Sequence, residues 1–118
     1  MQRFLFVCGA GAIGCGARYL IGLAMPAWAT LIVNLVGSFL IALVLETALR
    51  SPSFSPDLRV ALATGFIGGL TTYSAFNYET SKMILEGHYA RGLALVSVTL
   101  FGCFAMGIAG LALARRVA

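Results

Sequence analysis

Long stretches without a single charged side chain constrain this chain more than any motif does. No Asp, Glu, Lys or Arg occurs between Arg18 and Glu46, between Arg59 and Glu79, or between Arg91 and Arg115. A helix needs about 20 apolar residues to cross the hydrocarbon core of a bilayer, and these gaps are of that length. The composition agrees, with 60% hydrophobic and 10% charged residues over 118 positions, where a soluble domain carries roughly a quarter charged. The expected fold is an all-α membrane protein of four transmembrane helices in one domain. The spans fall at about 4–23, 27–49, 58–85 and 93–114, and lipid is the surrounding partner.

Punctuation supports these limits. Met25-Pro26, the run from Ser51 to Asp57, and Glu86-Gly87-His88-Tyr89 separate the spans, and such short links favour antiparallel neighbours. Arg3, the apolar run after it and Ala27-Trp28-Ala29 have the outline of a signal peptide, but the run is too long for one. The net charge of +4 comes from eight basic residues scattered at span ends, which form no patch of the kind nucleic acid requires. With both termini on one side, Arg3, Arg50, Arg59, Arg115 and Arg116 face Lys82 and Arg91 opposite, which favours cytoplasmic termini. Cys8, Cys15 and Cys103 lie in apolar spans without metal-ligand spacing and read as packing residues. No Ser/His/Asp set, carboxylate pair or phosphate loop is present, so no enzyme is expected.

The third span carries Gly68-Gly69-Leu70-Thr71-Thr72 in its middle. Glycine costs about 1 kcal/mol relative to Ala inside a helix, and Thr hydroxyls compete for backbone partners. One reading is a broken helix whose freed carbonyls, from Gly68 and Thr71, coordinate a small hard cation such as Na⁺. The other is an unbroken helix with a glycine packing notch. Small residues at Gly65/Gly69, Ala12/Gly16 and Cys103/Gly107 have the spacing that lets helices approach closely in lipid.

In the second span Thr30, Asn34 and Ser38 recur every four residues and share one face. That face must meet protein or water, as a weakly polar anion path or as interhelical hydrogen-bonding glue. Tyr73 and Phe76 lie three apart just past the Thr pair, where positive ring edges can face an anion or simply pack. Arg18 lies in the last turns of the first span, able to snorkel or to bias a vestibule toward anions. Glu79 and Lys82 are spaced for a surface pair.

The run Gly65-Phe66-Ile67-Gly68-Gly69-Leu70-Thr71-Thr72-Tyr73-Ser74-Ala75-Phe76, preceded by Thr30-Leu31-Ile32-Val33-Asn34-Leu35-Val36-Gly37, resembles the small bacterial fluoride channels called Fluc or CrcB. The resemblance covers essentially the whole chain. It implies an antiparallel, dual-topology homodimer in the bacterial inner membrane that exports fluoride passively. A structural Na⁺ would sit at its centre, on the carbonyls of Gly68 and Thr71. It implies an anion pathway of Asn34, Tyr73, Ser74, Phe76 and Ser97, and vestibules lined by Arg18, Thr30 and Glu79. Ser97 and Thr99 are the hydroxyls of the fourth span, with Ser97 at the position where the family often has one. Two features depart from the pattern: Tyr73 replaces the usual Phe, and five basic residues against two is a bias that dual insertion would not produce. The alternative is a small proton-coupled multidrug exporter, also four-helical and dimeric. That class needs a membrane-embedded carboxylate, whereas Glu46 and Glu79 lie near span ends.

Overall fold

Helix-compatible sequence, broken only by Pro, Gly and a Thr pair, yields helices throughout. The computed structural model describes residues 1–117, and every regular element among them is helical. α1 covers Gln2–Ala24 and α2 covers Ala29–Arg50. α3 (Pro56–Val60) opens where the Ser55 hydroxyl accepts from the Leu58 N–H, with Pro56 in the first turn, where its missing N–H has no helical partner to lose. It runs into a π-helical segment, Ala61–Ile67, and then a single turn, α4 (Gly68–Leu70).

The backbone then leaves the helix. Thr71 has φ −87° and ψ 157°, and Thr72 has φ −153° and ψ 121°, both extended. α5 (Tyr73–Leu85) follows. It ends in a Schellman turn: the His88 N–H bonds the Met83 carbonyl at 2.8 Å, the Gly87 N–H bonds Ile84 at 3.1 Å, and Gly87 supplies φ 87°. That turn fits in three residues, so α6 (Tyr89–Val117) starts four residues before the apolar stretch does.

α1, α2 and α6 are each long and apolar enough to cross a membrane. At 1.5 Å per residue, the 29 residues of α6 reach about 43 Å, well beyond a hydrocarbon core of about 30 Å. Tyr89 and Arg91 at one end and Arg115 and Arg116 at the other therefore extend toward the headgroups. Large apolar side chains such as Phe4, Leu20, Phe101 and Phe104 face outward, while the buried positions are Val33, Ile67, Leu70, Thr80, Thr99 and small residues. In lipid, where outward Leu gains as much as inward Leu, close backbone approach rather than a large apolar core holds helices together.

Glycines set that approach. A methyl on Gly14 would collide with the Phe66 carbonyl, one on Gly69 with the Gly11 carbonyl, and one on Gly65 would sit 2.8 Å from the Val7 carbonyl. α1 thus lies directly on the π segment and α4. On the other side, α2 and α6 form the most extensive helix pair, closing at Gly110 against the Phe39 carbonyl. Of the spacings noted in the sequence, Gly65/Gly69 meets a neighbour. Ala12 and Gly16 are exposed on the outer side of α1, and a methyl on Gly107 would meet only ordinary contact.

The end shared by the start of α1, the end of α2, the start of α3 and the end of α6 is tied by ion pairs. Arg3 meets Asp57 at 2.6 Å, and Arg50 and Arg115 converge on Glu46 at 2.9 and 3.0 Å.

Candidate functional site

The interruption at Thr71 and Thr72 is where the polar residues of three helices meet. One end of it is held by α2. The Asn34 amide donates from Nδ2 to the Thr72 carbonyl and accepts at Oδ1 from the Thr72 N–H, both at 2.9 Å. This two-point bond replaces the pair of bonds a helix would have given Thr72. One turn on, Gly37 leaves room for the Thr71 methyl, which a Cβ at that position would strike. Ser38 donates to the Asn34 carbonyl at 2.7 Å, a bond back into its own helix, and α2 runs on unbroken.

The other groups at the interruption are assigned as specifically. Arg18 donates from Nε to the Gly69 carbonyl at 3.1 Å. The Thr71 N–H and hydroxyl both bond the Ile67 carbonyl, at 3.0 and 2.9 Å. The Thr72 hydroxyl caps α5 by accepting from the Ala75 N–H at 3.2 Å, and shares a 3.2 Å bond with the Ser74 hydroxyl. In a continuous helix the Thr72 N–H would serve the Gly68 carbonyl and the Ala75 N–H would serve Thr71. Both donors are diverted to side chains, and among the described residues no hydrogen bond reaches the carbonyl of Gly68 or of Thr71.

Two clefts open on either side. The first, about 520 Å³, is lined by Asn34, Ser38, Thr71, Tyr73, Phe76 and Thr99 with apolar neighbours, and no charged side chain of the described residues lines it. Tyr73 and Phe76 meet edge to face, with centroids 5.7 Å apart. Tyr73 is 76% exposed in the single subunit. Thr99 is 8% exposed, and its hydroxyl has no partner among the described residues. The second cleft, about 350 Å³, holds Arg18, Thr30 and Glu79. There the Thr30 hydroxyl donates to Glu79 Oε1 at 2.7 Å. Thr72 lines both clefts.

The structure therefore brings Asn34, Tyr73 and Phe76 to one cleft and Arg18, Thr30 and Glu79 to the other. Ser74 and Ser97 line neither; both are exposed in the subunit, Ser74 bonded to the Thr72 hydroxyl. Two residues along a helix is a turn of about 200°, so Ser97 and Thr99 point opposite ways, and it is Thr99 that enters the cleft. The signal was present: Gly92, Gly110 and Ala114 mark the packed face of α6, and Thr99 lies on it with them. Glu79, spaced for Lys82, instead takes the hydroxyl of Thr30 from α2, and no ion pair joins it to Lys82 among the described residues. The residue that reading for side chains passed over is Thr72, whose backbone and hydroxyl organise the interruption.

Three lipid-length apolar helices around a polar interruption flanked by two clefts define a multi-pass membrane protein. Comparison with known proteins places it further: residues 5–111 match the family model described as CrcB-like protein, Camphor Resistance (CrcB), and the chain belongs to that family. It is 43% identical to the fluoride-specific ion channel FluC of Anaeromyxobacter dehalogenans, with 100% of this chain and 99% of the relative covered. It is 40% identical to the protein of that name from Geobacter sulfurreducens, covering 99% and 100%, and 40% identical to the one from Sorangium cellulosum, covering 99% and 98%.

Proposed function

We propose that this chain is a subunit of a fluoride-selective channel that lets fluoride leave the bacterial cytoplasm passively across the inner membrane. The observation that carries the reading is the character of the first cleft: hydroxyl and ring-edge groups, one buried hydroxyl without a partner, and no charged side chain lining it among the described residues. A strongly hydrated small anion entering it meets the unpartnered O–H of Thr99 and positive ring edges in exchange for water, the hydroxyls of Ser38 and Thr71 being bonded to their own backbone. A fixed Lys or Arg in the cleft would hold the anion; neutral donors let it move on. The names of the relatives supply fluoride as the anion.

On this reading residues 56–85 form the third of four spans, interrupted at Thr71 and Thr72. Two copies pair antiparallel, one inserted each way, and the second cleft serves as a vestibule. Arg18 would draw anions there, and the Thr30 hydroxyl would fix the Glu79 carboxylate in place. Tyr73, Ser74 and Ser97, exposed in the single subunit, would be covered or brought to the path by the second copy. The pairing of Arg3, Arg50 and Arg115 with carboxylates leaves Arg59 and Arg116 outside those pairs at one end, against Lys82 and Arg91 at the other. Two carboxylates serve those three arginines, so this end still carries more positive charge than the other.

The unserved carbonyls of Gly68 and Thr71 fit a hard, weakly charged cation, since they are neutral oxygen donors without a carboxylate or thiolate. Those two residues from each copy would hold a structural Na⁺. The ion would neutralise carbonyl dipoles that two subunits would otherwise bury facing each other, at about 1–3 kcal/mol per unsatisfied group.

The test is ion efflux from liposomes holding purified protein, read with a fluoride electrode and a chloride electrode. Fluoride is expected to leave and chloride to stay. Absence of fluoride flux in every ionic condition would overturn the channel. Drug efflux driven by a proton gradient, lost in Glu79→Gln, would establish the proton-coupled exporter.

A further inference from the structure

Resting on the proposed Na⁺ site, we infer that Asn34 and Thr72 are positioning residues for that site, because their side chains take the two backbone donors that would otherwise quench the carbonyls of Gly68 and Thr71. Hydrogen-bond supply decides which carbonyls stay free. In a helix each carbonyl at position i is served by the N–H at i+4. For Gly68 that donor is the Thr72 N–H, and it is bonded at 2.9 Å to Asn34 Oδ1. For Thr71 that donor is the Ala75 N–H, and it is bonded at 3.2 Å to Thr72 Oγ1. The neighbouring carbonyls are treated in the opposite way: Arg18 serves Gly69, and the Asn34 Nδ2 serves Thr72. Two carbonyls are kept free and two are occupied, and side chains from α1, α2 and the interruption itself decide which.

Asn34 thus acts at the cation site without touching it. It lines the uncharged cleft and clamps the backbone with the same amide. Losing its acceptor returns the Thr72 N–H to the Gly68 carbonyl, which then competes with a cation. Losing the Thr72 hydroxyl returns the Ala75 N–H to the Thr71 carbonyl with the same effect, from a different side chain and at a different ligand.

The test is thermal unfolding of the purified, full-length protein in detergent, titrated with NaCl against N-methyl-D-glucamine chloride at constant ionic strength. Wild type is expected to gain stability with Na⁺ at a defined midpoint; no Na⁺-specific gain in wild type would remove the cation reading itself. Given that gain, Asn34→Ala and Thr72→Val are each expected to raise the Na⁺ midpoint about tenfold, the equivalent of roughly 1.4 kcal/mol. Thr72→Ser, which keeps the capping oxygen, is expected to restore it. Asn34→Asp, which keeps an acceptor for the Thr72 N–H, is expected to fall nearer wild type than Asn34→Ala. A purely structural role would lower stability equally in both salts and leave the midpoint in place. That outcome, or equal midpoints for Thr72→Val and Thr72→Ser, overturns the inference. Should Asn34→Ala fail to fold, the Thr72 pair decides.

Discussion

α2 and the stretch 56–85 both carry glycine and hydroxyl residues near their middles, yet α2 runs unbroken from Ala29 to Arg50 while the other stretch comes apart at Thr71 and Thr72. Local propensity does not by itself place the break. In α2, Ser38 bonds back to the Asn34 carbonyl and leaves the ladder intact. In the other stretch, Asn34 reaches across from α2 and offers Thr72 both partners the helix would have supplied. A glycine pair lowers the cost of leaving the helix; what specifies the place is an amide 38 positions earlier in the chain.

The largest expected effect comes from closing the gap that lets α1 support the interruption. Gly69→Leu should prevent folding or cost more than about 3 kcal/mol, because even a methyl there meets the Gly11 carbonyl. Gly68→Ala, next to it but with only the Ala63 carbonyl at 3.8 Å, should fold. Size-exclusion profiles and thermal unfolding of the pair check this, and equal behaviour would show that the α1 contact does not support the break.

A sharper separation of packing from conduction comes from Thr99→Val. Its buried hydroxyl has no partner among the described residues, so an isosteric methyl should leave stability equal or raised by about 1 kcal/mol while slowing fluoride efflux roughly tenfold. Lower stability with unchanged flux would make Thr99 a packing residue with an overlooked partner. Phe76→Leu keeps apolar volume but removes a ring edge from the first cleft. It should slow efflux several-fold, by about 1 kcal/mol of barrier, with unfolding nearly unchanged; wild-type flux would return Phe76 to packing. Tyr73→Phe is the mildest, since the hydroxyl makes no hydrogen bond among the described residues. Flux within about twofold of wild type is expected, and complete loss would give that hydroxyl an essential part.

These contrasts also mark what the sequence could convey. The charge-free runs before Glu46 and before Arg115 identify two helices of membrane length, and Gly68-Gly69 before a Thr pair identifies a weak point. The Thr30, Asn34 and Ser38 stripe is legible as one face because four residues make slightly more than one turn. Their partners are not legible, because Asn34 to Thr72 and Thr30 to Glu79 are contacts between helices that sequence spacing does not encode. Glu79 and Lys82 show the converse: correct spacing for a pair, with a better partner on another helix. Ser97 and Thr99 differ only in which side of α6 faces α2, which the small residues of that face reveal once their packing is seen.

The central claim is that side chains divide the carbonyls at the interruption into two occupied and two free. Solid-state NMR of protein in lipid bilayers, with ¹³C-labelled carbonyls at Gly68, Gly69, Thr71 and Thr72, tests it directly when Na⁺ is exchanged for N-methyl-D-glucamine. The Gly68 and Thr71 signals should shift with Na⁺, while Gly69 and Thr72, held by Arg18 and Asn34, stay in place. Equal shifts at all four, or no shift at Gly68 and Thr71, would contradict the account.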